Sequence, residues 1–139
     1  MRSIRLQYRQ DMTKLPLSKA ESFARKLALK LKGGEIIALT GNLGSGKTTF
    51  TKALGKALGI KQNISSPTFV MMQQFLTKNK LHFYHLDLYR TKNFKEVEGL
   101  GITEWWGHPQ TITVIEWADK IQGSLPKHTQ LIHLYRDEK

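Results

Sequence analysis

The residues best equipped to do chemistry are Gly41-Asn42-Leu43-Gly44-Ser45-Gly46-Lys47-Thr48, a complete GxxxxGK[ST] run. In such a run the backbone N–H groups curl around an anionic phosphate at a helix N-terminus. Glycine at 41, 44 and 46 lets the backbone approach that phosphate without an intervening Cβ. Lys47 then reaches the β- and γ-phosphates, and the Thr48 hydroxyl ligates Mg²⁺. Residues 41–48 and the following Thr49 are the expected nucleotide-binding set.

A carboxylate must stand across the sheet to hold the magnesium, directly or through water. Two strand ends offer one. Ile112-Thr113-Val114-Ile115-Glu116 is an apolar run closed by an acid, the shape of a Walker B element with Glu for the commoner Asp. His85-Leu86-Asp87 closes another. Ser65, Ser66 and Thr68 around Pro67 have the hydroxyls of a switch that senses the γ-phosphate, or form a plain polar connection. Arg90, one of only two arginines after the loop, either stabilises phosphate charge or pairs with an acid. Trp117 follows Glu116 and packs near the nucleotide or in the core. His82 and His85, three apart on an expected strand, face opposite sides and make no shared metal site.

The surrounding elements suit that chemistry. Glu35 to Thr40 is a short apolar run of buried-strand type leading into the loop. From Thr48 to Leu58, Phe50, Ala53, Leu54, Ala57 and Leu58 recur at helical spacing, closed by Gly59. Strand, glycine loop and helix is the context in which the pattern binds phosphate. Ile4, Leu6 and Tyr8 alternate as a first, edge strand. Ser18-Lys19-Ala20-Glu21 has the form of a capping box, opening a helix with Phe23, Leu27 and Leu31 that Gly33-Gly34 ends. Strands are expected from Phe69 to Phe75 and from Leu81 to Leu88, joined by a turn at Lys78-Asn79-Lys80. Asn93 caps a short helix through Leu100, and Thr111 to Glu116 and Thr129 to Tyr135 read as strands. The sum is an α/β, P-loop NTPase-like fold: a mixed β-sheet with helices on its faces, as a single domain over residues 1–139.

Composition narrows the function. With 139 residues, 40% hydrophobic and 24% charged, the chain can bury one core. No apolar stretch approaches the roughly 20 residues of a membrane span, and Met1 to Tyr8 lacks the apolar core of a signal peptide. Without cysteine there are no disulfides and no thiolate metal site. A cytoplasmic protein without membrane association is expected. The net charge of +11 is uneven: residues 1–61 hold 13 Lys/Arg against 3 Asp/Glu. That half suits an acidic partner, RNA or an acidic protein surface, although no RNA-reading motif is present.

Five segments together, GNLGSGKTTF (41–50), SPTF (66–69), YHLDLYR (84–90), EVEGLGITEWW (96–106) and VIEW (114–117), resemble the TsaE (YjeE) family. That family supplies the ATPase component of bacterial tRNA threonylcarbamoyladenosine biosynthesis. The resemblance implies an ATP- and Mg²⁺-dependent enzyme, weak alone, working with a threonylcarbamoyl transferase subunit and its non-catalytic paralogue. ATP turnover there is thought to reset the transferase between modifications of adenosine 37 in tRNAs decoding ANN codons, with any tRNA contact indirect. It also implies that Lys47 and Thr48 bind phosphate and Mg²⁺, that Glu116 takes the Walker B place, and that Asp87 is the essential acid near the metal. Ser66-Pro67-Thr68 corresponds to a switch segment and Trp117 to a tryptophan near the nucleotide. The chain departs from the family pattern at Ala20, Asn42, Ser45 and Gln74. Two rival functions are a small-molecule or nucleotide kinase and a non-hydrolytic, nucleotide-gated RNA-binding module. A kinase usually needs several arginines and a lid, and only Arg90 and Arg136 follow the loop.

Overall fold

The two most continuous apolar runs, Ile36–Thr40 and Thr111–Glu116, become the centre of the sheet. The computed structural model describes residues 12–41, 46–65 and 72–137. Its strands are β1 (Thr13–Pro16), β2 (Ile36–Thr40), β3 (Met72–Leu76), β4 (His82–Asp87), β5 (Thr111–Glu116) and β6 (Gln130–Tyr135). The helices are α1 (Ala20–Ala28), α2 (Lys47–Ala57) and α3 (Phe94–Glu98). The sheet order is β1-β6-β2-β5-β4-β3. Every neighbouring pair is parallel except β3 and β4, an antiparallel hairpin turning where Lys80 takes a positive φ. All residues of β2 and β5 are buried, as parallel strands covered on both faces must be.

Alternation along the strands divides the core in two. Ile37, Leu39, Phe83, Ile112, Val114 and Ile132 face one side, where they pack with Ala24 and Leu27 of α1 and Phe50 and Leu54 of α2. Ile36, Ala38, Tyr84, Leu86, Ile115 and Leu131 face the other, with Val97 of α3 and Ile102 of a following 3₁₀ turn. Helices therefore cover both faces of a mixed sheet, the architecture expected from the sequence. No helix among the described residues is long and apolar enough to cross a membrane.

Several local expectations are corrected. The Ser18 capping box does not form: α1 is capped by Lys19 without a side-chain bond. The Ser18 backbone N–H instead donates to Asp137 Oδ1 at 3.2 Å, and its hydroxyl donates to Oδ2. A long-range carboxylate thus takes the serine that a local cap would have used. Helix α1 also ends at Ala28, before Leu31. Beyond it the Glu35 carboxylate accepts from the N–H groups of Lys32 and Gly33, each at 2.9 Å, so Glu35 caps the loop and β2 starts one residue later. At Gly33 the φ of +116° and the Pro109 carbonyl, 2.0 Å from where a Cβ would stand, leave room only for glycine. Strand β1 is not legible in the sequence: it has four residues and ends in Pro16, which an edge position tolerates. The strand expected over Ile4 to Tyr8 lies outside the described residues, as does the part of the Phe69 to Phe75 expectation before Met72.

Candidate nucleotide and metal site

Parallel topology gathers the chemistry at one edge. β2, β5 and β4 lie side by side, and their C-terminal ends deliver the glycine loop, Glu116 and Asp87 respectively. Crevices at the carboxyl ends of parallel strands are where open α/β sheets bind ligands. Asp87 and Glu116 are register partners across β4 and β5. Phe83, His85 and Asp87 share one face of β4, and Val114 and Glu116 share the same face of β5, the face covered by α2.

Helix α2 begins at Lys47, with Gly46 as its N-cap in the left-handed conformation at φ 94°. A Cβ on Gly46 would lie 2.1 Å from Leu17 Cδ1. The first turn of α2 holds no acid, so no side chain of that turn neutralises the positive end of the helix dipole. Lys47 is only 5% exposed. Its Nζ donates to the Gly41 carbonyl at 2.9 Å and lies 3.9 Å from the centre of the Trp117 ring. Burial pulls the Lys47 ammonium below the usual lysine range, against the opposing charges of Glu116, Asp119 and Asp87.

Glu116, 2% exposed, is the hub of the site. Its Oε1 accepts from the Thr48 hydroxyl at 3.1 Å. Its Oε2 accepts from the Thr51 hydroxyl at 3.2 Å and from His85 Nε2 at 2.6 Å. The other His85 nitrogen, Nδ1, stands 3.1 Å from the side-chain oxygen of Gln73. Trp117 adopts φ 60°, ψ 40°, a left-handed conformation costly for a bulky residue. That turn ends β5 and lays the indole over Lys47, against Tyr89 at 5.1 Å between ring centres.

Asp87 is half-buried, and one carboxylate oxygen accepts from the Tyr89 N–H at 3.1 Å. Burial raises its pKa above the ordinary aspartate range, only partly offset by that N–H, and the Glu116 charge adds to the rise. A proton is therefore held more tightly in the folded chain than in the unfolded one. The associated stability is complete below the unfolded pKa, about 3.9, and is lost as pH rises through the folded value. Asp87→Asn keeps the acceptor for Tyr89 and is neutral at every pH. Its midpoint of thermal unfolding should exceed that of the native chain by about 1–3 °C at neutral pH. The advantage should vanish at the acid end, and a variant less stable at pH 7 would contradict it.

The structure thus brings together Gly41, Gly46, Lys47, Thr48, Asp87, Glu116 and Trp117. Thr49 is exposed on α2, and Arg90 is exposed beyond β4. Asn42, Leu43, Gly44, Ser45, Ser66, Pro67 and Thr68 lie outside the described residues. Two site residues escape sequence reasoning. Thr51 stands one helical turn after Lys47 and Thr48, a spacing that offers a signal. His85 enters the sequence reading as part of the strand closed by Asp87, with a metal site shared with His82 excluded but no role assigned; its two-residue spacing from Asp87 marks the shared face. His82 is exposed and pairs with Gln74 instead, at 3.4 Å.

The donors present are hard oxygens, which suit Mg²⁺. Among the described residues no group of three or more His, Cys, Asp or Glu could hold a metal ion. Mg²⁺ is commonly held by one or two protein oxygens with phosphates and water, so Thr48 and Glu116 fit it.

Comparison with known proteins identifies the family. A family profile described as "Threonylcarbamoyl adenosine biosynthesis protein TsaE" matches residues 16–139. The "tRNA threonylcarbamoyladenosine biosynthesis protein TsaE" of Bacillus subtilis is 37% identical over 116 residues, 84% of this chain and 71% of that protein. The protein of the same name from Aquifex aeolicus is 42% identical over 100 residues, 70% of this chain and 68% of its own. Among solved structures, Bacillus subtilis YdiB superposes with a TM-score of 0.59 at 32% identity, over 81% of this chain and 67% of that one. With its P-loop-like fold and a profile match running from Pro16 onward, the chain belongs to the TsaE family.

Proposed function

We propose that the chain is an Mg²⁺-dependent ATP-binding and ATP-hydrolysing subunit of tRNA threonylcarbamoyladenosine biosynthesis. It would act on a transferase subunit and its non-catalytic paralogue, for modification of adenosine 37 in tRNAs decoding ANN codons. The observation that carries the reading is the contact of Thr48 with Glu116 at the start of the helix that follows the glycine loop, beside the buried Lys47. The names of the relatives support the pathway, and the resemblance of the motifs supports the partners.

Bound Mg²⁺ would supply charge neutralisation for the β- and γ-phosphates. The chain's own residues do the rest. Lys47 exchanges the Gly41 carbonyl for a phosphate oxygen, which restores the stabilisation its ammonium lacks in the free protein. Thr48 and Glu116 would hold the metal, and glycine at 46 lets the chain enter the helix in a left-handed conformation against Leu17. Trp117 covers the lysine and excludes water from it. Asp87, whose burial raises its affinity for a proton, accepts the proton of the attacking water. Glu116, committed to three donors, serves as the holder instead.

The decisive experiment is ATP hydrolysis by the purified chain, alone and with the transferase and its paralogue. Slow turnover alone and strong stimulation by the two together is the expected result. Efficient hydrolysis without them, or transfer of phosphate to members of a nucleoside and nucleotide panel, would replace this function with that of a self-sufficient enzyme or kinase.

A further inference from the structure

Glu116 carries more hydrogen bonds than a metal-holding carboxylate requires, and they are unevenly divided. Oε2 accepts from two groups that are both fully buried, the Thr51 hydroxyl and the His85 ring. Among the described residues, Oε1 accepts from the Thr48 hydroxyl. We propose that Thr51 and His85 are positioning residues, a clamp on Oε2 that fixes the carboxylate and presents Oε1 toward the Thr48 hydroxyl and the metal position.

The geometry supports the clamp from two sides. Thr51 is locked to α2, where its hydroxyl also lies 3.0 Å from the Lys47 carbonyl, so its single proton is shared by two acceptors. His85 is held on β4 with Gln73 of β3 against its far nitrogen, so the ring has no freedom to turn away. A carboxylate free to rotate would exchange its two oxygens. With Oε2 bound on two sides, exchange requires breaking both bonds to donors that are fully buried. The clamp thereby ties three structural elements, α2, β4 and β5, to one oxygen atom. Groups that orient metal ligands typically change metal affinity or activity by about 10–100-fold when lost.

The assignment rests on the proposed function for its catalytic consequence, but the contact itself does not. Thr51→Val keeps the shape and removes the hydroxyl; Thr51→Ser keeps the hydroxyl. In the assembly with transferase and paralogue, Thr51→Val should raise the half-saturating Mg²⁺ for hydrolysis about 10-fold. KM for ATP at saturating Mg²⁺ should stay near the native value. Thr51→Ser should restore the native Mg²⁺ dependence. His85→Gln, which returns an N–H donor toward Oε2, should be less impaired than His85→Phe. Should His85→Phe fail to fold, the Thr51 pair decides. An unchanged Mg²⁺ requirement in Thr51→Val, or a Thr51→Ser variant as impaired as Thr51→Val, overturns the clamp.

A ligand-free measurement separates the two claims. The ¹⁵N signal of His85 Nε2 at fixed pH should move in Glu116→Gln and stay in place in Glu98→Gln, on the opposite side of the sheet. A signal indifferent to Glu116→Gln overturns the clamp whatever the enzymology. A chain that hydrolyses no ATP under any condition but shows the shift keeps the contact and loses the proposed function.

Discussion

Lys47→Ala should weaken ATP binding on the order of 100-fold, about 3 kcal/mol, with or without partner proteins. The size follows from where the ammonium sits. It is already stripped of most of its water, which is why its pKa falls, and it has a backbone carbonyl and an indole face for partners. The cost of desolvation is thus met during folding, before any phosphate arrives. A charge-assisted bond to phosphate then adds to affinity with little further penalty. For the same reason the substitution should not destabilise the free protein through loss of charge, and Lys47→Met, which keeps the packing against Trp117, should unfold at or above the native temperature. Titration with a fluorescent ATP analogue alongside thermal unfolding checks both. Affinity within threefold of native would remove Lys47 from the phosphate site.

Glu116→Gln should lower partner-stimulated hydrolysis by roughly 100-fold or more while ATP affinity changes only a few-fold. On the proposed function the carboxylate would hold the metal where charge develops, whereas Lys47 and the loop would supply most of the ground-state binding. Stability should also fall. Glu116 accepts three hydrogen bonds through two oxygens, and the single amide oxygen of Gln cannot serve Thr48, Thr51 and His85 together. Leaving a buried donor unsatisfied costs about 1–3 kcal/mol, so a lowered unfolding midpoint is expected. Asp87→Asn should share the loss of turnover but gain stability at neutral pH, because it removes an ill-solvated charge rather than a satisfied one. Opposite stability changes with a common kinetic defect would distinguish the two acids. Equal stability changes would show that their environments are alike.

Much of this site is legible in the amino-acid sequence. The glycine loop, Lys47 and Thr48 are contiguous, and the apolar strands closed by Glu116 and Asp87 announce themselves by composition. The strand–loop–helix order and the mixed, helix-covered sheet follow from local periodicity, and β5 stands where it puts it, with β2 and α2 within one residue. The failures lie where a distant group prevails over a local one. Ser18 has the spacing of a cap, but Asp137, 119 residues away, takes its hydrogen-bonding groups. Glu35 has the company of a strand, but two backbone N–H groups bend it into a cap.

Residues close together in the chain set the glycine-loop motif, the family and the succession of elements, and each of these can be read along the sequence. Which side chains share an atom is settled only in the folded chain. Thr51 and His85 reach Oε2 of Glu116 from 65 and 31 residues away. That meeting requires β4 beside β5 in one register and α2 across their common face, and no local spacing records strand order. The left-handed turn at Trp117 is of the same kind. Nothing in an indole favours it, and it accompanies the packing of the ring between Lys47 and Tyr89.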